Sequence, residues 1–304
     1  MNMRKIVFAM LLAVCIGMLS GCGDAGPSSV QDGATGDVPP ADGYHPVFED
    51  GDLDAAWEES GATRIRFDGA EITVDGEGAS ALEGGVKISQ GGVYVLEGTL
   101  TDGRLVADVE PGETLKLVLN GVDMSCSTSA PLYISNGDAV IVLAEGTKNA
   151  VTDAQAYQYA DASVKEPNAC VYGDDNLTIV GSGELTVNAN FNNGIGSKDE
   201  LRIAHASITV RAMNNALKGN DCVLIRNAQL RLESEGDGIK SDEDKTDGYG
   251  VIDISGSRVE IVADDDGLQA VSRITVSDGE VITAVQGKKV NCGGVISVAE
   301  GALQ

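Results

Sequence analysis

The chain has 304 residues, with 47 Asp and Glu against 21 Lys and Arg, a formal net charge of −26 and 39 glycines. A field of that sign repels nucleic acid and other polyanions and attracts multivalent cations. With only His45 and His205 available, neither a Ser/His/Asp triad nor a histidine zinc site is supported.

From the N-terminus, residues 1–21 read as a signal peptide: Arg4 and Lys5 give the charged end, and Ile6 to Met18 an apolar stretch too short for a retained span. The signal closes on Leu19-Ser20-Gly21-Cys22, which resembles a bacterial lipobox. Cys22 is therefore the expected lipidation site, and the lipid anchor the expected contact with the membrane, at its extracellular face. Loss of Arg4 and Lys5 makes the mature chain two charge units more negative. Residues 22–54, dominated by Gly, Pro, Ser, Asp and Ala, read as a flexible tether. His45 and Trp57 are expected to pack at or before the first coil of a single elongated domain spanning 55–304.

Between Ile65 and Val151 short apolar runs, such as Val93 to Leu96, Leu115 to Leu119 and Val140 to Leu143, are separated by Gly-Asp, Asn-Gly and Gly-Gly turns. Thr152 to Pro167 breaks that rhythm as a polar loop carrying Tyr157 and Tyr159. Cys126, Cys170, Cys222 and Cys292 lack paired Cys-x-x-Cys spacing. They read as small buried or turn thiols, with their oxidation state open.

From Asn192 onward the chain repeats. Asn192-Asn193-Gly194-Ile195, Asn214-Asn215-Ala216-Leu217, Gly236-Asp237-Gly238-Ile239 and Asp265-Asp266-Gly267-Leu268 are copies of one phrase. The first three are spaced by 22 residues, and the last by 29, through an insertion within Asp242 to Gly250. Leu201 and Ile203 align with Val223 and Ile225, Ile252 and Ile254, Ile274 and Val276, then Ile296 and Val298. A second series runs Ile208 and Val210, Leu230 and Leu232, Val259 and Ile261, then Val281 and Thr283. Apolar and polar residues alternate in each, which is strand periodicity, and a fixed period in the twenties marks a solenoid. The expected fold is all-β: a right-handed parallel β-helix, with coils rising by about 4.8 Å. A Leu-x-x-Leu-x-Leu frame and helix-forming segments are missing, which excludes leucine-rich repeats.

The runs Gly194-Ile195-Gly196-Ser197-Lys198-Asp199-Glu200-Leu201, Leu217-Lys218-Gly219-Asn220-Asp221, Gly236 to Asp244, and Asp265-Asp266-Gly267-Leu268-Gln269-Ala270 resemble bacterial surface proteins of the carbohydrate-binding domain-containing family. Tyr94 to Gly98 and Leu117 to Val122 fit the same family, and the likeness covers roughly Thr63 to Val285. It implies a polysaccharide-lyase-like β-helix and binding of plant cell-wall polysaccharide and calcium. The family usually places Asp second in each polar pair; Asn193 and Asn215 stand there in the first two copies, which shifts the expected cation site toward Asp237 and Asp266.

Stacking gives those columns their chemistry. Equivalent side chains in adjacent coils lie about one strand spacing apart, nearly the span of two calcium–oxygen bonds of about 2.4 Å. Asp237, Asp265 and Asp266, with Asp242, Glu243 and Asp244 in the insertion, are the expected calcium ligands. The Asn pairs instead read as turn residues bonding along the ladder. Lys218, Lys240 and Tyr249 are the candidate carbohydrate contacts. The expected function is calcium-assisted, non-catalytic binding of pectate or another uronate polymer, with cellulose a further candidate. The alternatives are a calcium-dependent lyase with Lys240 as base, and a structural surface protein or adhesin.

Overall fold

A computed structural model describes residues 44–49, 51–110, 112–161 and 163–304. Cys22 and the signal fall outside the described residues. All regular structure among the described residues is β: 27 strands in sheets of 17 and 10. The expected parallel β-helix is what forms, and each coil between Leu132 and Val285 contributes one strand to each of three ladders, whereas Gly92–Leu100 and Leu115–Ser125 each run through the second and third as one strand.

The first ladder is the smaller sheet and includes Leu132–Asn136, Ala169–Gly173, Asn193–Ser197, Leu217–Gly219, Ile239–Ser241, Leu268–Ala270 and Val290–Cys292. Its strands pair in parallel, so that Ile195 meets Leu217, Leu217 meets Ile239 and Ile239 meets Leu268. The second ladder runs through Ala139–Leu143, Leu177–Val180, Glu200–Ala204, Cys222–Arg226, Val251–Ser255, Arg273–Val276 and Val295–Val298. Lys148–Thr152, Glu184–Ala189, Ser207–Ala212, Gln229–Ser234, Ser257–Ala263 and Gly279–Val285 build the third. Leu201, Val223, Ile252, Ile274 and Ile296 are direct partners in successive coils, as the 22-residue period requires. The first four are fully buried, whereas Ile296, in the last described coil, is 50% exposed.

A chain that must turn sharply every few residues uses left-handed backbone at fixed points. Between the second and third ladders His205 (φ 55), Asn227 (φ 51) and Gly256 (φ 57) hold that conformation in successive coils. Asn and His tolerate it better than most side chains. His205 is thus a turn residue. The four thiols from Cys126 to Cys292 are free, the first three buried.

Two features depart from the expected organisation. At the N-terminal end Glu71–Asp75 pairs antiparallel with Thr63–Gly69, and Ala79–Leu82 antiparallel with Gly85–Ile88. These hairpins close the open edge of the first coil. The second departure is a correction to the tether, whose described residues 44–49 and 51–54 lie packed on the body, with Trp57 continuing the same segment.

This strap runs back along the outer face of the second ladder. Phe48, Leu53, Ala55 and Trp57 join an apolar cluster with Val95, Val118, Val142, Val180 and Ala204, which are register partners in successive coils. Those strands are apolar on both faces, and an uncovered outer face would leave a valine stripe in water. Lys116 Nζ donates to Asp54 O and Ala56 O at 3.1 and 2.8 Å. Asp52 Oδ2 lies 3.3 Å from Arg202 Nε, and the Arg226 guanidinium sits 4.7 Å over the Phe48 ring. At its start, Tyr44 donates its hydroxyl to Glu200 and packs on Tyr249, ring centroids 4.1 Å apart.

Candidate functional site

The polar pairs all fall at the turn that enters the first ladder, where they form two stacks. The buried stack is Asn193, Asn215, Asp237 and Asp266, each 3 to 7% exposed. Every member accepts the backbone N–H of its successor: Asn193 Oδ1 from Asn215 at 3.3 Å, Asn215 Oδ1 from Asp237 at 3.0 Å, and Asp237 Oδ1 from Asp266 at 3.1 Å. Asp266 Oδ1 ends the series by accepting from the Lys288 N–H at 2.7 Å. These bonds satisfy turn amides that would otherwise be buried without partners. A short side chain that carries an oxygen does this, which Asn supplies in the first two coils and Asp in the next two.

In the first two coils the stack is neutral, and Asn215 Nδ2 also donates to Asn193 Oδ1 at 2.9 Å. In the next two it is anionic. Asp237, Asp265 and Asp266 each bring a carboxylate oxygen to within 4.8 Å of the others. Lys240 Nζ lies 2.8 Å from Asp237 Oδ2, and Asn291 Nδ2 donates to Asp266 Oδ2 at 2.5 Å, while Asp265 is exposed. Three hard oxygens at about twice the calcium–oxygen distance are a donor set suited to that ion.

The insertion places the other predicted ligands differently. Asp242 pairs with Lys218 Nζ at 2.9 Å. Glu243 Oε1 accepts the N–H groups of Lys245 and Thr246 at 2.6 and 3.2 Å, shaping the insertion itself. Asp244 is exposed. Tyr249 packs at a tilt against the strap's Tyr44.

Lys218 and Lys240 are register partners at the centre of the first ladder, and the same column continues to Gln269 and Asn291. Toward the N-terminal end it passes through Gly196, Tyr172 and Tyr133. The sequence leaves the tyrosines scattered, yet these two lie with ring centroids 6.0 Å apart. A Cβ on Gly196 would come within 3.1 Å of the Tyr172 ring. The insertion at 153–168 puts Tyr133 and Tyr172 out of the 22-residue step, which hides their alignment. Burial and the neighbouring Glu166 push the Tyr172 hydroxyl well above its ordinary pKa.

A second acidic line, Asp175, Asp199 and Asp221, follows the turn between the first two ladders. Its carboxyls are closer to water, but mutual repulsion is still felt. Partial burial, then the charges of Asp199, Glu200 and Glu243, raise the Asp221 pKa to about 6.

A three-ladder parallel coil with an oxygen-rich turn stack and a lysine column beside it defines a protein of the polysaccharide-lyase-like β-helix class. A solved structure, the gadolinium derivative of the polysaccharide lyase-like protein from C. thermocellum, aligns with a TM-score of 0.77 at 40% identity, covering 80% of this chain and 98% of that one. Residues 82–301 match the model of the carbohydrate-binding domain-containing protein family. A protein of that description from Acetivibrio thermocellus is 37% identical over 305 residues, 100% of this chain and 98% of the relative. The chain belongs to the carbohydrate-binding domain-containing family.

Proposed function

We propose that this protein binds plant cell-wall polysaccharide of the uronate type without cleaving it, along the outer column of the first ladder that carries Lys218 and Lys240, and that calcium at Asp237, Asp265 and Asp266 assists. The observation that carries this is the meeting of three carboxylates beside a register-aligned lysine row. Family membership supports a carbohydrate ligand, and charge narrows its class. A strongly anionic protein binds an anionic polymer only where cations intervene. The two lysines supply some of that charge, and calcium, when bound, would supply the rest.

Both lysines are held by carboxylates, Lys218 by Asp242 and Lys240 by Asp237. That pairing gives Lys240 the role of counter-charge to a buried acid, which requires its protonated form. A proton-abstracting base would need the neutral form, so binding is favoured over lyase chemistry. With Cys22 lipidated, the protein would display this face outside the cell membrane.

The test is a pull-down on pectate, xylan and cellulose, with and without chelator, reading ultraviolet absorbance of unsaturated product in the same tubes. Retention on pectate that chelator abolishes, with no absorbance, is expected. Chelator-resistant retention would remove calcium from the account, and absorbance growth would make the protein a lyase.

A further inference from the structure

The outer column of the first ladder is not open along its whole length. From Tyr133 it passes through Tyr172 and Gly196 to Lys218 and Lys240, and two coils further on it reaches Asn291. Tyr172 is 3% exposed and Gly196 is buried with it, whereas Tyr133 on one side and every member from Lys218 onward on the other are partly exposed.

The cover over those two positions is the base of the insertion at 153–168. Glu166 is a hydrogen-bond partner of the Tyr172 hydroxyl, and its Oε2 lies 3.2 Å from Lys198 Nζ. Glu166 precedes the strand Ala169–Gly173, and Lys198 follows the strand Asn193–Ser197 of the next coil. Their ion pair therefore bridges the ladder from its entry side to its exit side. Beneath the bridge the Tyr172 ring leans over Gly196, where a Cβ would come within 3.1 Å of it. The footing is braced as well. Tyr159 donates to Pro167 O at 2.8 Å, and Tyr157 donates to Asp153 Oδ2 and Ala169 O at 2.6 and 3.1 Å. Tyr157 also stacks on Phe191, ring centroids 4.3 Å apart. A segment tied down in this way is a fixed obstacle.

A polymer that follows the lysines toward the N-terminal end meets the bridge one coil beyond Lys218. The accessible stretch from Lys218 to Asn291 spans three coil steps, about 14 Å at one strand spacing each, room for a short run of sugars. The bridge also carries chemistry suited to a chain end. A terminal sugar has a hydroxyl where an internal one has a glycosidic oxygen, which accepts but does not donate. Glu166 only accepts and Lys198 only donates, with side chains 33 and 49% exposed. A hydroxyl answers both, while a glycosidic oxygen would set one acceptor against another at Glu166.

We infer that the bridge of Glu166 and Lys198 over Tyr172 stops the column, so that the lysine-bearing stretch takes the end of a uronate chain and not a segment from its interior. This rests on the uronate reading of that column and gives it a direction, the terminal hydroxyl lying at Glu166 and Lys198 and the rest of the chain leading toward Asn291.

The test is calorimetric stoichiometry on the intact protein with one pectate preparation, before and after random cutting into shorter chains, at calcium concentrations too low for gelling. Cutting at constant mass multiplies chain ends and leaves the supply of interior sugars nearly unchanged. The amount of protein bound per gram of pectate should rise by the same factor as the number of chains. A capacity unchanged by cutting would overturn the inference and leave uronate binding standing, whereas no binding of either preparation would overturn both. Replacing residues 155–166 with a short Gly-Ser linker should admit interior segments and raise the capacity of uncut pectate above that of the wild type. An unchanged capacity in that variant, folded, would overturn the role of the bridge, and the wild-type comparison decides the matter if the variant does not fold.

Discussion

Asp237 joins two coils through a single side chain: its Oδ1 accepts the Asp266 N–H at 3.1 Å while its Oδ2 lies 2.8 Å from Lys240 Nζ. One oxygen serves the fold and the other a charge, so the two roles can be separated by an isosteric change.

Asp237→Asn retains an acceptor for the Asp266 N–H but removes the anion. In chelator its thermal unfolding should stay within about 1 kcal/mol of wild type. Any calcium-dependent rise in Tm should be lost, together with calcium-dependent retention on pectate. An undiminished calcium response in this variant would locate the ion elsewhere.

Gly238 lies in the small-residue column with Gly194, Ala216 and Gly267. A Cβ there would meet Ile261 Cγ2 at 2.4 Å and Gly267 O at 2.7 Å. Ala216 shows that the turn itself accepts a methyl group, so the obstacle is the side chain and backbone opposite. Gly238→Ala should therefore cost about 1–3 kcal/mol through overpacking, measured by denaturant unfolding. A cost within error would show that the coil expands freely at this point.

Asp221 gives a pH signature. Its folded pKa of about 6 lies above the ordinary aspartate value of 3.8, so the folded state holds this proton more tightly than the unfolded state between those limits. The group's contribution to stability consequently falls as pH rises from about 4 to 6 and remains unfavourable above. Asp221→Asn should raise Tm at pH 7, by about 2 °C once solvent screening is allowed for, and leave it unchanged near pH 3. A rise of equal size at both pH values would assign the effect to something other than charge.

The strap is fixed by side-chain contacts, with Lys116 reaching two of its carbonyls. Lys116→Met should increase amide exchange in residues 51–57 by about tenfold or more, leaving the strand at Glu200–Ala204 unaffected. Trp57, the single tryptophan, should shift its emission to the red in the same variant. Uniformly faster exchange through the whole body would mean that the strap and the coils unfold together.

The coils were legible because burial writes itself at a fixed interval: Leu201, Val223, Ile252 and Ile274 repeat in the sequence as they stack in space. The stack of Asp237 on Asp266 was legible for the same reason, across a seven-residue insertion. Where the period fails, so does the inference. Tyr133 and Tyr172 pair in register but are separated by the 153–168 insertion, and nothing local announces the antiparallel N-terminal hairpins. The strap resembled a tether because its Gly, Pro and Asp content outweighed the few apolar residues at Phe48, Leu53, Ala55 and Trp57. Its counterpart was visible in the strands, since Val140 to Leu143 is apolar without alternation, which is how strands covered on both faces are written.

The entry point of the described chain also bears on how the solenoid is presented. Tyr44 begins the strap beside Glu200 and Tyr249, partway along the stack of coils, and the strap then travels toward the N-terminal hairpins before the first coil starts. The strap covers the outer face of the second ladder, so the lysine column on the first ladder stays clear of it.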